Sequence, residues 1–220
     1  MNLNYKSFFN ALMVKKIIIC AVSLFFLGVG VGLDIPAKLG TDPISVFLHG
    51  VSVFLKSDIG FTTSIINLLL IVVIFFADKK YINFGTLIYT LFFGLCINCG
   101  RYIYNCLNIP ENLTSRLIIS SIGTLIGLIG LAGFITIDIG IDSWSAITMI
   151  LSKKINKSFG FTKIITDLAT LFIGWLLLGG TVGIMTLITT IIGGPIIQVF
   201  SNYFKKLFDL MSKQDRSKIG

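Results

Sequence analysis

Histidine occurs once in the 220 residues, at His49. A single imidazole cannot assemble a histidine-based metal site or a histidine catalytic pair. Charged residues make up only 13% of the chain against 55% apolar, too few to cover the surface of a soluble domain. No P-loop, H-E-x-x-H, G-x-S-x-G or EF-hand pattern occurs. ATP-driven transport by this chain alone and the common hydrolase chemistries are therefore not expected. Cys96-Ile97-Asn98-Cys99 has CxxC spacing, with Cys20 and Cys106 elsewhere. It stands toward the end of an apolar run, where a reactive thiolate is disfavoured, and Ile196 and Val199 occupy the same places one hundred residues on. Packing is the better reading, and an intramembrane thiol oxidoreductase is the weakest alternative. The sequence implies no cofactor, no metal and no enzyme.

What the chain has in abundance is apolar runs. Mean hydropathy is +0.93, and the runs approach the roughly 20 residues that cross a hydrocarbon core. The expected fold class is all-α, a polytopic helical membrane protein. The net charge of +8 does not point to nucleic acid, because the basic residues stand at the ends of runs: Lys15-Lys16, Lys79-Lys80, Lys153-Lys154, Lys205-Lys206. That distribution fits orientation signals and headgroup contacts in a lipid bilayer. Lys15-Lys16 ahead of Ile17–Leu33 resembles a signal peptide, but no small-x-small cleavage site follows. It reads as an uncleaved first span.

Long spans are expected at about 16–35, 61–77, 85–104, 117–137, 161–178 and 183–203. Two shorter segments, 42–55 and 142–155, follow the first and fourth. Each would reach only about 21 Å as a helix, short of the core thickness. In the first, Asp42, Ser45, His49, Ser52 and Lys56 recur on one helical face. Such pieces are expected to be re-entrant, interfacial or buried within the bundle rather than lipid-surrounded. Trp144 suits an interfacial anchor, and His49 a polar contact on the short helix.

The chain writes itself twice. Leu39-Gly40-Thr41-Asp42-Pro43-Ile44-Ser45 returns as Ile139-Gly140-Ile141-Asp142-Ser143-Trp144-Ser145. At the same offset Gly60-Phe61-Thr62 matches Gly160-Phe161-Thr162, Thr86-Leu87-Ile88 matches Thr186-Leu187-Ile188, and Gly94 matches Gly194. This divides the chain into a lead-in (1–14), a first membrane repeat (15–105), a linker (106–116), a second repeat (117–205) and a basic tail (206–220). The Gly-x-[SD]-P-like turns, the following Gly-Phe-Thr and a Gly-x-x-Thr span ending Gly194-Pro195-Ile196-Ile197-Gln198 resemble the YczE/YyaS/YitT-type bacterial membrane proteins, the YczE-like branch most closely. The resemblance runs from about 17 to 205. Met185 departs from it, standing where a glycine is expected before Thr186. It implies a bacterial cytoplasmic-membrane protein and supplies no reaction or substrate.

Two topologies obey the positive-inside tendency. If the short pieces do not cross, there are six spans and the repeats are inverted; if they cross, there are eight and the repeats are parallel. Their shortness and amphipathicity favour six, and both termini fall inside in either case.

Candidate binding residues are Asp42 and Ser45 with their echoes Asp142 and Ser145, then Asp167 with its counterpart Asn67. Capping alone accounts for both turn aspartates, Asp42-Pro43 being a common helix start. The sharper reading places both short helices within the membrane, their starts and carboxylates lining a central site for a cation, a proton or a cationic substrate. Asp167 stands inside a span with Lys163 one turn before it, a pairing distance. The function expected is a small secondary transporter or permease-like protein with its site between the repeats. The alternative is a non-catalytic membrane accessory or assembly protein. Asn112-Leu113-Thr114 matches a glycosylation sequon but carries little weight in a chain that looks bacterial.

Overall fold

A computed structural model of the chain describes the backbone of residues 2–217 and the side chains of residues 13–210. It is all helical among the described residues. The order is α1 (Asn2–Ala37), α2 (Pro43–Phe54), α3 (Ile59–Asp78), α4 (Phe84–Cys106), α5 (Leu113–Ile137), α6 (Ser143–Lys154), α7 (Phe159–Phe172) and α8 (Ile184–Ser217). A 3-10 turn at Lys79–Tyr81 closes α3, and a π-helical turn at Ile173–Leu177 closes α7. Six helices are long and apolar enough to cross a membrane: Met13–Ala37, Ile59–Tyr81, Phe84–Cys106, Leu113–Ile137, Phe159–Leu177 and Ile184–Leu210. The protein is an all-α polytopic membrane protein. Helix α1 starts at Asn2, ahead of its apolar span, and α8 continues past its span to Ser217. The side chains of 1–12 and 211–220 lie outside the described residues.

Local chemistry sets these boundaries. α2, α3, α5, α6 and α7 begin behind Asp42, Asp58, Asn112, Asp142 and Ser158, each accepting a backbone N–H of the first turn. That bond satisfies a donor which helix geometry leaves unpaired. Asn112, the residue of the sequon, is thus a helix cap. Pro36 lies one residue before the end of α1, and Lys38 then turns into the left-handed region at φ 54°, as Asp138 does after α5 at φ 51°.

Helix α1 is the hub, lying against both α4 and α5 through glycines. A Cβ on Gly30 would lie 2.4 Å from the Gly123 carbonyl oxygen and 2.5 Å from the Gly127 nitrogen. Gly130 meets Leu27 and Gly133 meets Ser23, so the α1–α5 pairings advance in opposite directions and the two helices are antiparallel. On the other side Gly28 meets Cys96, and Gly32 meets Gly100, so α1 and α4 are parallel. Between α3 and α4, Gly60 meets Gly94 and Asp58 meets Arg101, an antiparallel pair. Up, down, up is the order three long helices adopt when the short α2 does not reverse the chain. Close glycine contact of this kind lets backbones approach where apolar side chains gain nothing over lipid.

The two halves also exchange backbone. Leu39 O accepts from Met185 N at 3.0 Å, and Ile139 O accepts from Gly85 N at 3.1 Å. Met185, the departure from the expected glycine, therefore serves through its N–H, which any residue but proline carries.

The short helices run outward from these loops. Ile141 O accepts from Thr86 Oγ1 at 2.7 Å, and Ser143 Oγ and Thr90 Oγ1 lie 3.1 Å apart, so the start of α6 sits deeper along α4 than the loop before it. Its far end returns to the surface, where Lys153 and Lys80 both lie 5.1 Å from the Tyr81 ring centroid. Lys16 lies over Phe208, which puts the N-terminal part of α1 and the C-terminal part of α8 at one end of the bundle.

The glycine contacts make a graded prediction. Gly30→Ala should destabilise the protein by about 1–3 kcal/mol, because backbone on α5 has to move. Gly194, with nothing within 4 Å of an added Cβ, should tolerate alanine and gain up to about 1 kcal/mol from helix propensity. Thermal unfolding of the two variants in detergent measures both.

Candidate functional site

The starts of α2 and α6 converge. Phe47 and Trp144 meet edge to face with centroids 5.6 Å apart. Around them Ser45, Val46, Leu48, Ser143 and Ala146 are buried. Asp42 Oδ1 accepts from Ser45 N at 3.1 Å, and Asp142 Oδ1 accepts from Ser145 N at 2.9 Å. Capping is therefore what these aspartates do to their own helices, and Ser45 and Ser145 take part through backbone N–H groups. Each carboxylate keeps its second oxygen off the cap, with Thr41 Oγ1 at 3.4 Å from Asp42 Oδ2.

Asp167 joins them from α7. It is paired with Lys163 Nζ at 2.5 Å, and the hydroxyl of its neighbour Thr166 lies 3.4 Å from that of Thr148 on α6. Three carboxylates and one ammonium thus share the region. α7 can approach because Gly174 lies against the backbone of Phe47, while a Cβ on Gly50 would lie 2.4 Å from the Gly174 carbonyl oxygen. A π turn begins at Ile173, a form frequently found at functional sites. Gly180 N donates to Gly174 O at 2.7 Å, and Thr181 N donates to His49 Nδ1 at 3.4 Å. His49 makes the polar contact expected of it.

Asn67, the counterpart of Asp167 on α3, is fully buried, and neither its amide nitrogen nor its carbonyl oxygen has a hydrogen-bond partner. The Thr63 hydroxyl, one turn before it, is also buried and unpaired. Ser64 approaches Gly94, and the antiparallel register from there sets Asn67 about level with Thr90, which holds Ser143 at the start of α6. The indole Nε1 of Trp144 is a further buried donor without a partner. This departs from the expected interfacial anchor: an anchor keeps its N–H in the wet headgroup layer, whereas this one faces inward against Phe47. Unpaired buried polar groups each cost about 1–3 kcal/mol and call for an explanation.

Two further clusters escaped the sequence reading. Asp58 Oδ1 accepts from Asn98 Nδ2 at 2.6 Å and Phe61 N at 3.0 Å, and Asp58 Oδ2 accepts from Arg101 at 2.8 Å. Partial burial pushes its carboxyl up, but those hydrogen bonds and the Arg101 charge outweigh it and hold the group below the ordinary carboxylate range. Deep in the α1–α5 contact, Asp34 is 3% exposed. Ser120 Oγ and Thr124 Oγ1 each donate to one of its oxygens at 2.9 Å. Arg116, one turn before Ser120, donates to the carbonyl of Ala37 at 2.6 Å. Asp34 was hidden because its counterpart is Phe134, so comparison of the halves passes over it. Cys96 packs against Gly28, and no cysteine among the described residues is in a disulfide.

For Asp58 the sign of the pH dependence follows directly. A carboxyl lowered from its unfolded value of about 3.9 contributes stability above that pH and loses it as pH falls through the native value. The wild-type melting temperature should therefore drop on acidification below about pH 4. Asp58→Asn should start lower at neutral pH and show a shallower acid decline, the difference being small because the pair is half exposed.

Residues 14–202 match the model of DUF6198, a family of unknown function. An uncharacterized protein of Haemophilus influenzae is 26% identical over 193 residues, covering 88% of this chain and 86% of that protein. The uncharacterized protein YyaS of Bacillus subtilis is 24% identical over 196 residues, covering 89% of this chain and 96% of YyaS. No solved structure matches the chain. The YyaS-type resemblance read from the turn motifs and span endings thus extends over nearly the whole sequence, and the chain belongs to the DUF6198 family.

Proposed function

We propose that this protein is a small secondary transporter or permease-like protein, built from two inverted repeats with its substrate site where α2 and α6 meet. The observation that carries the reading is the amide of Asn67, completely buried with both polar atoms unpaired. An asparagine in that state costs stability, and it gains a role if a substrate supplies the missing partners. The unpaired Trp144 indole N–H and Thr63 hydroxyl extend the same argument. The carboxylates set the substrate's charge. Asp42, Asp142 and Asp167 outnumber the single ammonium of Lys163, so the site favours a small cation or a cationic organic molecule.

The inverted arrangement is supported by contacts that change into one another when the halves are exchanged. Gly30–Gly127 becomes Gly130–Leu27, Leu33–Gly123 becomes Gly133–Ser23, and Leu39–Met185 becomes Ile139–Gly85. Repeats of this kind, with broken helices starting near the middle, are a common transporter plan.

The accessory alternative rests on α7 and α8, whose spans are only 11% and 17% buried, against 61% for α1. Lipid covers such surfaces in a transporter; a partner protein covers them in an assembly factor. Intramembrane crosslinking from Leu168 and Ile191 to a second polypeptide would favour the latter.

The test uses purified protein and thermal stabilisation by a panel of alkali cations, ammonium, quaternary amines and polyamines. A stabilising cation should lose at least tenfold in apparent affinity in Asp42→Asn/Asp142→Asn, which keeps both caps, and unchanged stabilisation would sink the charged-site reading. Asn67→Leu should raise the melting temperature of the free protein while abolishing the cation response. Loss of stability in that variant would make Asn67 a structural residue instead.

The same reading places the protein in a bacterial cytoplasmic membrane with both ends inside. Lys15, Lys16, Lys79, Lys80 and Lys153 gather at the end of the bundle that holds the start of the α1 span, whereas Arg101 and Arg116 are at the other. Reporter fusions at Lys79-Lys80 should read inside, and fusions in the 107–112 link outside. An outside signal at Lys79-Lys80 would require the eight-crossing topology.

A further inference from the structure

Asp34 stands apart from the cap aspartates. It is the only acidic side chain among the described residues to be buried, at 3% exposure, and its hydrogen-bond donors are neutral. Charged groups on the neighbouring elements are engaged elsewhere. On α5, Arg116 is held by the Ala37 carbonyl; on α4, Arg101 passes Gly32 with its backbone while its guanidinium is held by Asp58. From the loop before α2, Asp42 adds a like charge. From α4 the side chain of Cys96 lies against Gly28.

A carboxylate inside a span with no cation beside it is costly. Two hydroxyls are an unusual choice of partner for it, and an informative one. Lysine or arginine only donates and would fix the group as an anion. A serine or threonine hydroxyl donates to a carboxylate and, after rotating, accepts from a carboxylic acid. Ser120 and Thr124 can therefore satisfy Asp34 in both protonation states without any movement of the backbone. The position matters as well: Asp34 reaches across the seam between the two halves, where its Oδ1 is 2.8 Å from the place of a Cβ on Gly123. Its ionisation changes the charge buried in the contact that joins α1 to α5.

We propose that Asp34, Ser120 and Thr124 form a proton-exchange site at the seam between the halves. Loading forms an O–H bond on Asp34 as one breaks in a hydronium ion of the aqueous phase, and release reverses it; no electrons are transferred. Proton binding requires no transport substrate, while its use to drive transport rests on the transporter reading above.

Infrared spectroscopy of the purified protein in lipid, titrated in H2O and D2O, reads the site directly. The wild type should show a carboxylic-acid C=O band that shifts down in D2O, disappears as pH rises and is missing in Asp34→Asn. Ser120→Ala/Thr124→Ala keeps the acid but removes the donors that favour its anion, so the midpoint should move up by about one pH unit, a tenfold change in proton affinity. Three results would overturn the proposal: no acid band assignable to Asp34 at any pH, a band insensitive to both pH and D2O, or a midpoint unmoved by loss of the two hydroxyls. A titrating Asp34 in a protein that no cation stabilises would leave this site standing and remove the transporter reading. A silent Asp34 beside an intact cation response would do the reverse.

Discussion

A carbonyl that leaves a helix within a packed bundle must find a donor, because burial leaves it few water partners. Leu39 and Ile139 are such carbonyls. Each has stepped out of the end of a long helix, and each is satisfied by the first turn of a long helix belonging to the other half. The rest of the architecture depends on this exchange. It holds the loops 38–42 and 138–142 inward, which allows α2 and α6 to begin beneath the surface and to return toward it. The glycines at the α1–α5 seam bring the halves close enough for the exchange to occur. Gly40 and Gly140, both at positive φ, provide the turn that a side chain would obstruct against Gly183 and Gly85.

Placing helix starts in the interior concentrates polar chemistry in a small volume. Each start exposes backbone N–H groups, and Asp42 and Asp142 satisfy them. The carboxylates that serve as caps are half-buried there, as Asp167 is on α7. The two halves answer differently at the facing position of the long helix: Lys163 and Asp167 pair on α7, while Thr63 and Asn67 on α3 are left unpaired. At these paired sequence positions the polar chemistry of the two halves differs. Asp34 opposite Phe134, and Asp58 with Arg101 opposite Ser158 with Ser201, follow the same rule. The cap aspartates Asp42 and Asp142 repeat, while Asp34, Asp58, Arg101, Lys163 and Asp167 do not.

That division explains what could be read from the sequence. Glycines, caps and hydropathy are local signals, and they repeat: Gly40 with Gly140, Asp42 with Asp142, and six apolar runs gave the span order and the short helices with only their ends displaced. Helices α1 and α8 extend beyond their apolar runs, because helix propensity carries through a change from apolar to polar composition. The site was legible only as far as it repeats. Asp34 stands in Leu33-Asp34-Ile35-Pro36, which resembles the frayed end of a span. What marks it as buried is Ser120 and Thr124, two polar residues one turn apart on a distant helix. Trp144 was placed at an interface because tryptophans favour that layer, and only the approach of Phe47 turns it inward.

The crossed carbonyl bonds also constrain how the protein is made. Leu39 emerges from the ribosome long before Met185, so the loop ahead of α2 spends most of synthesis without its donor. Ile139 is different, since Gly85 has already been made when it appears. The second half can therefore close on the first as it arrives, while the first half has to wait for the last helix. A chain released before α8 would retain one satisfied crossing and one open, with a polar backbone segment unpaired in the membrane.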